Sequence, residues 1–422
     1  MVNKTQAKSD HPSAVAKVLA LTLLAALTGC GEVPDATTGV VYSGARLIIG
    51  DGSVIEESVF SVDNGRFVAV GTAGEVSEAG GANRVDLRGM TVMPAIVDAH
   101  THMSTTRDAL IDDLQRRAYF GVGAAVSMGS DGPDAPLELR DELIPGTARF
   151  RSAGHGITSP EPGRRVVHWV TTELEARQAV RDEAARRVDL IKIWVDDRNG
   201  QYEQLSPATY AAVIDEAHQN DLRVAAHIFD LADGKGLLRA GIDILAHGVR
   251  DRDIDYEFVQ LAGEHPDVVL IPNLPRRGLR ADFSWLAGSI PGEELARLQA
   301  SENDPQAQAA FGIQARNLVR LNNAGMTIAF GTDGNTPWAP HVEMEDMVAA
   351  GMTAAQVLVA ATRNAAEVLG LTEMGTIEVG KSADFVVLEA NPLEDITNTR
   401  RIASVYLRGE EVDRAGISSR WN

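Results

Sequence analysis

The residues of this chain best suited to chemistry begin with two histidines at the end of an apolar run. Residues 92–99 are largely apolar, and His100 and His102 follow. Because side chains alternate between the two faces of a strand, both imidazoles point the same way, with Asp98 behind them. Two imidazoles at this spacing can bind one metal ion from a rigid strand end. Asp98 is then either a partner of a metal-bound histidine or the acceptor of a local hydrogen bond.

Four further ionisable side chains stand in or at the ends of other apolar runs. Lys192 lies inside one such run, and His227, His247 and Asp333 each close another. A single histidine at a strand end is most often a structural core residue. Six ionisable side chains on five runs are hard to assemble by accident, so the pattern predicts a metal centre.

Lys192 stands between apolar neighbours, where a charged and unpaired amine is costly to bury. Burial lowers the pKa of such an amine. A neutral amine can add carbon dioxide and become a carbamate, which is an anionic group able to bridge two metal ions. The alternative is a lysine that reaches solvent at the strand end or pairs with Asp189 or Asp196.

The middle of the chain, residues 93–372, alternates strand and helix patterns. Helical patterns are clearest at 173–187, 207–220 and 303–323. The predicted strands are 92–99, 121–128, 148–154, 188–195, 223–229, 243–248, 268–273 and 327–333. This alternation predicts an α/β fold with a (β/α)8 TIM barrel, in which the carboxyl ends of the strands converge on one face and build the active site. A doubly wound sheet would give a similar pattern.

Both ends of the chain show short β segments separated by turn signals. They predict a small β-sandwich built from residues 40–92 and 373–422 beside the barrel. The chain has 422 residues and 44% hydrophobic content, which is ample for a large core. Its net charge of -20 argues against binding to nucleic acid and against electrostatic binding to anionic lipid.

The amino terminus shows a targeting pattern. Basic residues precede an apolar run of ten residues at 18–27, which is too short to span a bilayer, and the run ends in Leu27-Thr28-Gly29-Cys30. This resembles a bacterial lipoprotein signal, with a signal peptide at 1–29, lipidation of Cys30 and a tether at 30–39. It predicts a periplasmic or cell-surface lipoprotein, held on the membrane by its lipid anchor alone. Gly31 resembles the signal for outer-membrane sorting in a Gram-negative host.

Taken together, the motifs resemble the amidohydrolase superfamily, in the branch of prolidase-like and imidazolonepropionase-like enzymes. The resemblance covers about residues 40–418. The motifs that carry it are Val97-Asp98-Ala99-His100-Thr101-His102, Ile191-Lys192-Ile193, Ala226-His227, Ala246-His247-Gly248, Gly331-Thr332-Asp333, Ala360-Ala361-Thr362-Arg363-Asn364-Ala365-Ala366 and Gly380-Lys381-Ser382-Ala383-Asp384-Phe385. They are less specific for substrate, because this scaffold hosts many chemistries.

The resemblance implies a site for two divalent metal ions. His100, His102 and Asp333 would hold the more buried ion, and His227 and His247 the outer one. Zinc suits these ligands best, although manganese, cobalt or iron would also fit. Imidazolonepropionases resemble this chain and use a single metal.

In the same resemblance, carboxylated Lys192 and a hydroxide bridge the two ions, and the Lys192 motif therefore favours two metals. Asp333 would be both metal ligand and catalytic acid and base. It would accept a proton as the bridging hydroxide attacks and then give that proton to the leaving nitrogen.

Further residues at strand ends are predicted to contact the substrate. They are His155, His168, His341 and Arg250. An arginine there can hold a substrate carboxylate, and Arg252, Arg276 and Arg277 are placed similarly. The alternative for each is a structural histidine or a solvated loop arginine.

The predicted function is hydrolysis of a C–N amide bond in a small molecule, such as a dipeptide or an N-acyl amino acid. Two alternatives remain. One is a ring-opening hydrolase of a cyclic amide, imidazolone or lactone, and the other is a lipoprotein that kept the fold as a binding module. A homo-oligomer is compatible with either.

Overall fold

The computed structural model describes residues 39–76, 83–132, 136–164 and 166–421. The predicted signal peptide, Cys30 and all but the last residue of the predicted tether lie outside these ranges. None of the helices within them is both long enough and apolar enough to cross a bilayer.

Strands run through the whole described chain. They are β1 (Val40–Ile48), β2 (Val54–Asp63), β3 (Arg66–Thr72), β4 (Asn83–Asp86), β5 (Thr91–Pro94), β6 (Ile96–Thr101), β7 (Val122–Ser127), β8 (Arg149–Ser152), β9 (Ile157–Thr158), β10 (His168–Trp169), β11 (Ile191–Val195), β12 (Val224–Ile228), β13 (Ile244–Leu245), β14 (Val269–Leu270), β15 (Thr327–Ile328), β16 (Phe385–Leu388), β17 (Ile402–Leu407) and β18 (Glu410–Glu411).

Helices lie mainly between the strands of the middle segment. They are α1 (Arg107–Tyr119), α2 (Glu173–Ala185), α3 (Pro207–Gln219), α4 (Leu231–Ala240), α5 (Tyr256–Glu264), α6 (Gly292–Gln299), α7 (Pro305–Asn323), α8 (Ala339–Ala350), α9 (Ala354–Val359), α10 (Ala365–Val368) and α11 (Arg414–Ser418). A π-helical turn at Ala360–Asn364 joins α9 to α10.

The two ends of the chain form one eight-stranded, mostly antiparallel sheet. Its order is β18-β17-β16-β5-β1-β2-β3, and β4 pairs with β1. The two ends meet where β5 pairs antiparallel with β16. Aromatic rings fill this region, with Tyr42 stacked on Phe60 at 4.9 Å and Phe385 stacked on Tyr406 at 4.5 Å between ring centroids. Aromatic packing of this kind stabilises a small sheet.

The strands of the middle segment are parallel. One sheet has the order β6-β7-β8 and the other β10-β9-β11-β12-β13-β14-β15. Backbone hydrogen bonds link the two sheets on both sides. Ala99 N–H donates to the Phe330 carbonyl at 2.9 Å, and Asp189 N–H donates to the Ser152 carbonyl at 2.9 Å. The fold is therefore mixed α/β with parallel sheets.

The predicted strand 92–99 divides between the two kinds of sheet. Pro94 ends β5 and has no backbone N–H to donate. Ala95 N–H donates to the Asp384 carbonyl of the antiparallel sheet, whereas Ile96 N–H donates to the Gly121 carbonyl beside β7. The first part of this apolar run therefore belongs to the antiparallel sheet as β5, and the second part belongs to a parallel sheet as β6. His100 lies near the carboxyl end of β6, which is buried.

The helix limits follow the capping chemistry. Thr172 begins α2 with a capping box to Glu175, and Ser206 and Asp304 accept backbone hydrogen bonds at the starts of α3 and α7. Hydroxyl and carboxylate oxygens at these positions bind the free N–H groups of a first helical turn. The helices extend over nearly the predicted ranges.

Candidate metal centre

The side chains predicted to bind metal gather at the carboxyl ends of the parallel strands. Three lie within strands and three follow a strand directly or within a few residues: His100 in β6, Lys192 in β11, His227 in β12, His102 after β6, His247 after β13 and Asp333 after β15. Parallel strands of an α/β fold present these ends on the same face.

Asp333 is the centre of this group. Its Oδ1 lies 3.3 Å from His100 Nε2 and 3.1 Å from His102 Nε2, and its Oδ2 lies 3.6 Å from His247 Nε2. The ring of His247 is 5.0 Å from that of His100 and 4.6 Å from that of His227, between centroids. The four imidazoles and the carboxylate form one continuous cluster.

Lys192 points into the same cluster. It is fully buried, and no hydrogen-bond partner for its Nζ is found among the described residues. Burial lowers the pKa of Lys192 to about 7, although the nearby Asp333 carboxylate acts in the opposite direction. Its charge in turn contributes to the lowered pKa of both His100 and His227. A large share of this amine is neutral near pH 7.

Two glycines make room for the cluster. A Cβ on Gly331 would lie 2.7 Å from Cβ of His100. A Cβ on Gly129, which has a φ of +78°, would lie 2.8 Å from Cβ and Cγ of Lys192. Both distances are shorter than the contacts that real Cβ atoms make. Only glycine therefore allows the backbone at these two positions to come so close to the side chains of His100 and Lys192.

The cluster suits divalent metal ions. His100 Nε2, on the side of the ring that faces Asp333, is buried and has no hydrogen-bond partner among the described residues, and the Lys192 amine has none either. Buried polar atoms without partners are rare in folded proteins. Burial lowers the pKa of His100 to about 3 and that of His247 well below its usual value, so both rings are neutral, as metal ligands must be.

Asp333 connects the cluster to solvent. Burial alone would raise the pKa of its carboxyl group, but His100 and His102 hold that pKa far below its usual range. One third of its side chain is exposed. It faces a cavity of about 600 Å³ that His102, Trp194 and His227 also line. This cavity is called the metal-side cavity below.

Asp196 is a site residue whose role the sequence did not reveal. Its Oδ2 lies 3.0 Å from His227 Nε2, and Arg198 pairs with the same oxygen. Burial alone would raise the pKa of Asp196, but the bonds with His227 and Arg198 lower it to about 2. A carboxylate that binds one ring nitrogen of a histidine orients the other toward a metal. The sequence does carry a signal for this role, because Asp196 directly follows β11, the strand that holds the predicted ligand Lys192.

Asp98 is fully buried in β6, two residues before His100. It accepts hydrogen bonds from the backbone N–H and the hydroxyl of Thr332, at 3.1 and 2.7 Å, and forms an ion pair with the buried Arg117 at 3.2 Å. It also accepts the backbone N–H of His100 at 3.3 Å, and among the described residues it bonds to no histidine ring. Its predicted role as the partner of a metal-bound histidine stays a prediction. Asp98 fastens β6 to the segment before Asp333.

His155 and His168 form a separate cluster with the fully buried Glu183 of α2. His168 Nε2 lies 2.8 Å from Glu183 Oε1, and the backbone N–H of His155 donates to Oε2 at 3.1 Å. Arg186 pairs with the same carboxylate at 2.9 Å. Neither histidine lines the metal-side cavity, so their predicted contact with substrate stays a prediction.

His341 lies in the core. Its ring nitrogens are 3.1 Å from the hydroxyl of Thr399 and 3.1 Å from the carbonyl of Phe120, and the residue is 1% exposed. The predicted substrate contact is corrected here, because neither nitrogen is free to meet a ligand. The α8 helix turns this side chain toward the core.

Arg250 differs from the other predicted arginines. Arg252, Arg276 and Arg277 pair with Asp251, Asp304 and the Glu345–Asp346 pair. No ion pair of Arg250 is found within the described ranges, and its buried Nε has no hydrogen-bond partner there. Its charge contributes to the lowered pKa of Lys192 and of His247. Arg250 is thus a half-buried guanidinium near the metal ligands, and its predicted contact with substrate stays a prediction.

Comparison with known proteins agrees with this geometry. An imidazolonepropionase of Deinococcus radiodurans is 26% identical over 393 residues, which cover 86% of this chain and 94% of that protein. An ochratoxinase of Aspergillus niger is 25% identical over 426 residues, covering 86% of this chain and 83% of that protein. The structure of a candidate prolidase from Bifidobacterium longum superimposes with a TM-score of 0.75 at 27% identity, covering 91% of this chain and 98% of the other.

The family model for the amidohydrolase family matches residues 91–412. This range holds every side chain of the cluster. The protein belongs to the amidohydrolase family.

Proposed function

We propose that the protein is a metal-dependent hydrolase that cleaves the C–N amide bond of a small molecule, such as a dipeptide or an N-acyl amino acid. The observation that carries this proposal is the convergence of four imidazoles, one carboxylate and one unpartnered buried amine in a single cluster, of which His102, His227 and Asp333 line the metal-side cavity. Family membership and the kinds of relative that the chain resembles support it.

The proposed chemistry divides between the metal and the chain. Bound divalent ions would supply a hydroxide near neutral pH and polarise the substrate carbonyl. Asp333 reaches the cavity in its ionised form, so it accepts the proton released as the new C–O bond forms. It then gives that proton to the nitrogen as the C–N bond breaks.

We propose that Lys192 carries a carbamate and that two ions, most simply zinc, bind the cluster. The buried amine without a partner supports the carbamate, because a neutral amine is the form that adds carbon dioxide. The carbamate would add negative charge between the His100–His102 pair and the His227–His247 pair. Such charge favours two cations over one.

We infer that the substrate carries a carboxylate. Arg250 lies beside the ligands without an ion pair among the described residues, whereas Arg164 and Arg198, which line the metal-side cavity, are paired with Glu161 and Asp196. Arg164 also covers the face of Trp194 at 4.3 Å from the ring centroid. Guanidinium groups bind carboxylates in a planar, two-bonded geometry. An amino acid with a free carboxylate is therefore the proposed leaving group.

Three predictions about architecture belong with this proposal. The backbone bonds between the parallel sheets support a closed (β/α)8 barrel, and the eight-stranded sheet supports a β-sandwich beside it. The sequence at Cys30 supports a lipoprotein anchored at the periplasmic or outer cell surface. In a bacterial host, Cys30→Ala should move the protein from the membrane to the soluble fraction. Gel filtration of the mature chain tests for a homo-oligomer.

The experiment for the function combines metal content with a substrate screen. We expect purified protein to contain zinc or a similar ion and to release amines from dipeptides or N-acyl amino acids, with activity lost on chelation and restored by zinc. Turnover confined to lactams, lactones or imidazolones would favour a ring-opening hydrolase instead. Metal-free protein that is inert in every assay would favour a binding lipoprotein.

A further inference from the structure

A second cavity of about 580 Å³ lies between the segment that follows β14 and helix α8. Apolar side chains make up much of its wall, among them Leu274, Phe283, Leu298, Trp338 and Val342. A cavity of this size accommodates an organic group of several rings or a comparable chain. It is called the apolar cavity below.

The apolar cavity adjoins the proposed catalytic carboxylate. Thr332 and Thr336 line it, and they flank Asp333 in the sequence. The metal-side cavity is lined by Asp333 itself and by segments near β6, β7, β9, β11 and β12. Asp333 and Thr332, which are consecutive in the chain, therefore line the two different cavities.

Five arginines also line the apolar cavity, and the two that are not exposed, Arg277 and Arg400, are paired with carboxylates. Arg277 pairs with Asp346 and Glu345, and Arg400 pairs with Glu345 as well. Glu343 is 6% exposed and accepts the backbone N–H of Leu274 at 3.0 Å. A ligand there gains little from added charge, because these groups have partners, and it gains mostly from contact with apolar surface.

Aromatic side chains favour a ring-shaped ligand in this space. Phe283 packs edge-to-face on Trp338 at 5.4 Å between ring centroids. Trp338 is almost fully buried, whereas Phe283 is half-buried, and both line the cavity. Aromatic rings add stacking and edge contacts to the general gain from burial.

We propose that the apolar cavity binds the acyl side of the substrate and selects a large, uncharged, aromatic acyl group. This inference rests on the proposed hydrolase function. In this arrangement Arg250 holds the carboxylate of the leaving amino acid, and the acyl group extends past Asp333 and Thr332 into the apolar cavity. The substrate class is then an N-aroyl amino acid, or a dipeptide whose first residue has a large apolar side chain.

The test compares N-acetylglycine with N-(2-naphthoyl)glycine, which differ only in the acyl group. Both hydrolysis of each compound and its binding by calorimetry are measured on zinc-loaded protein. We expect kcat/KM and affinity to favour the naphthoyl compound by about tenfold to a hundredfold, since one buried aromatic group contributes about 1.5–3 kcal/mol.

A matched pair of variants locates the preference. Val342 and Val348 both lie on α8 and both are half-buried, but only Val342 lines the cavity. Val342→Trp should fill the cavity and reduce the ratio between the two compounds about tenfold, whereas Val348→Trp should leave that ratio unchanged. Phe283→Ala, which removes a ring instead of adding one, should also reduce the ratio and covers the case in which Val342→Trp does not fold.

The outcomes separate this proposal from the hydrolase proposal. If neither compound is hydrolysed, the hydrolase proposal for N-acyl amino acids fails, and the binding ratio still reports on the cavity. Equal binding of the two compounds to the unaltered protein overturns the assignment of the cavity. Equal loss of both compounds in Val342→Trp and Phe283→Ala also overturns it.

Discussion

Two clusters of this protein each bring two histidines and a carboxylate close enough to hold a metal ion: His100–His102–Asp333 and His155–His168–Glu183. In the second cluster, every oxygen of Glu183 has a partner, from Arg186, from His168 or from a backbone N–H. In the first, ring nitrogens are buried without hydrogen-bond partners among the described residues. Each cluster has a buried ring nitrogen without a partner among the described residues, His100 Nε2 in the first and His155 Nε2 in the second, but only the carboxylate of Glu183 is already neutralised by a guanidinium.

This difference shows what identifies a metal site. A cation at Glu183 would have to displace the guanidinium of Arg186, which already neutralises the carboxylate. A cation beside Asp333 would have no guanidinium to displace among the described residues, and it would give a partner to His100 Nε2, which lies 3.3 Å from the carboxylate and has no hydrogen bond there. The groups that surround the carboxylate, a guanidinium at Glu183 and imidazoles at Asp333, distinguish the two clusters better than residue type or proximity does.

The strongest test of the first cluster is Asp333→Asn. An amide has the size of the carboxylate but cannot accept the proton, so we expect kcat to fall by about 10²–10⁴-fold with much of the metal retained. Amine release and elemental analysis measure the two effects. Asp141→Asn, at an exposed aspartate, is the control and should be fully active. Full activity of Asp333→Asn would exclude the proposed mechanism.

The next test is Lys192→Ala. Removing the amine removes the proposed bridge, and we expect the loss of at least one metal equivalent together with most of the activity. Elemental analysis counts the ions, and circular dichroism shows whether the variant is folded. Two ions retained in a folded Lys192→Ala protein would contradict a bridging role.

The location of the first cluster could be predicted from the sequence because strands are periodic and parallel strands share an end. Apolar runs that close on His227, His247 or Asp333 place these side chains on one face without any knowledge of loops. The sequence also predicted that the two ends of the chain form β structure. The break at Pro94 that divides one run between two sheets was not predicted, because it depends on which strand lies beside each amide.

Contacts between distant elements were harder to predict. Asp98 lies within β6 and pairs with Arg117, which lies on α1 and is fully buried, and a buried arginine on a helix gives no local signal. His341 follows β15, the last of the parallel strands, but the rotation of α8 turns its side chain into the core. The spacing of three residues between His341 and the apolar Met344 indicates that both lie on the buried face of this helix.

A smaller effect is expected from Glu183→Gln in the second cluster. The amide keeps the shape but loses the ionic bond to Arg186, so we expect the free energy of unfolding to fall by about 1–3 kcal/mol. Urea unfolding followed by circular dichroism measures it. The metal content should not change, in contrast to Lys192→Ala. Loss of metal equivalents in a folded Glu183→Gln protein would reverse the comparison and make Glu183 a ligand.

The smallest effect concerns His341, a histidine with both nitrogens bonded. Burial lowers the pKa of His341 to about 3, against about 6.5 in an unfolded chain. Below pH 6.5 the unfolded state therefore binds a proton that the folded state does not, and stability falls as the pH falls. Between pH 6.5 and 5 this contributes about 2 kcal/mol.

His341→Gln cannot titrate, so its unfolding free energy should fall less over this interval. The measurement is urea unfolding at both pH values in the presence of chelator, which keeps metal release from the first cluster out of the difference. An unchanged pH dependence in the variant would show that the His341 ring is protonated or open to solvent in the folded protein, and the contrast between bonded and unused nitrogens would then not hold at this position.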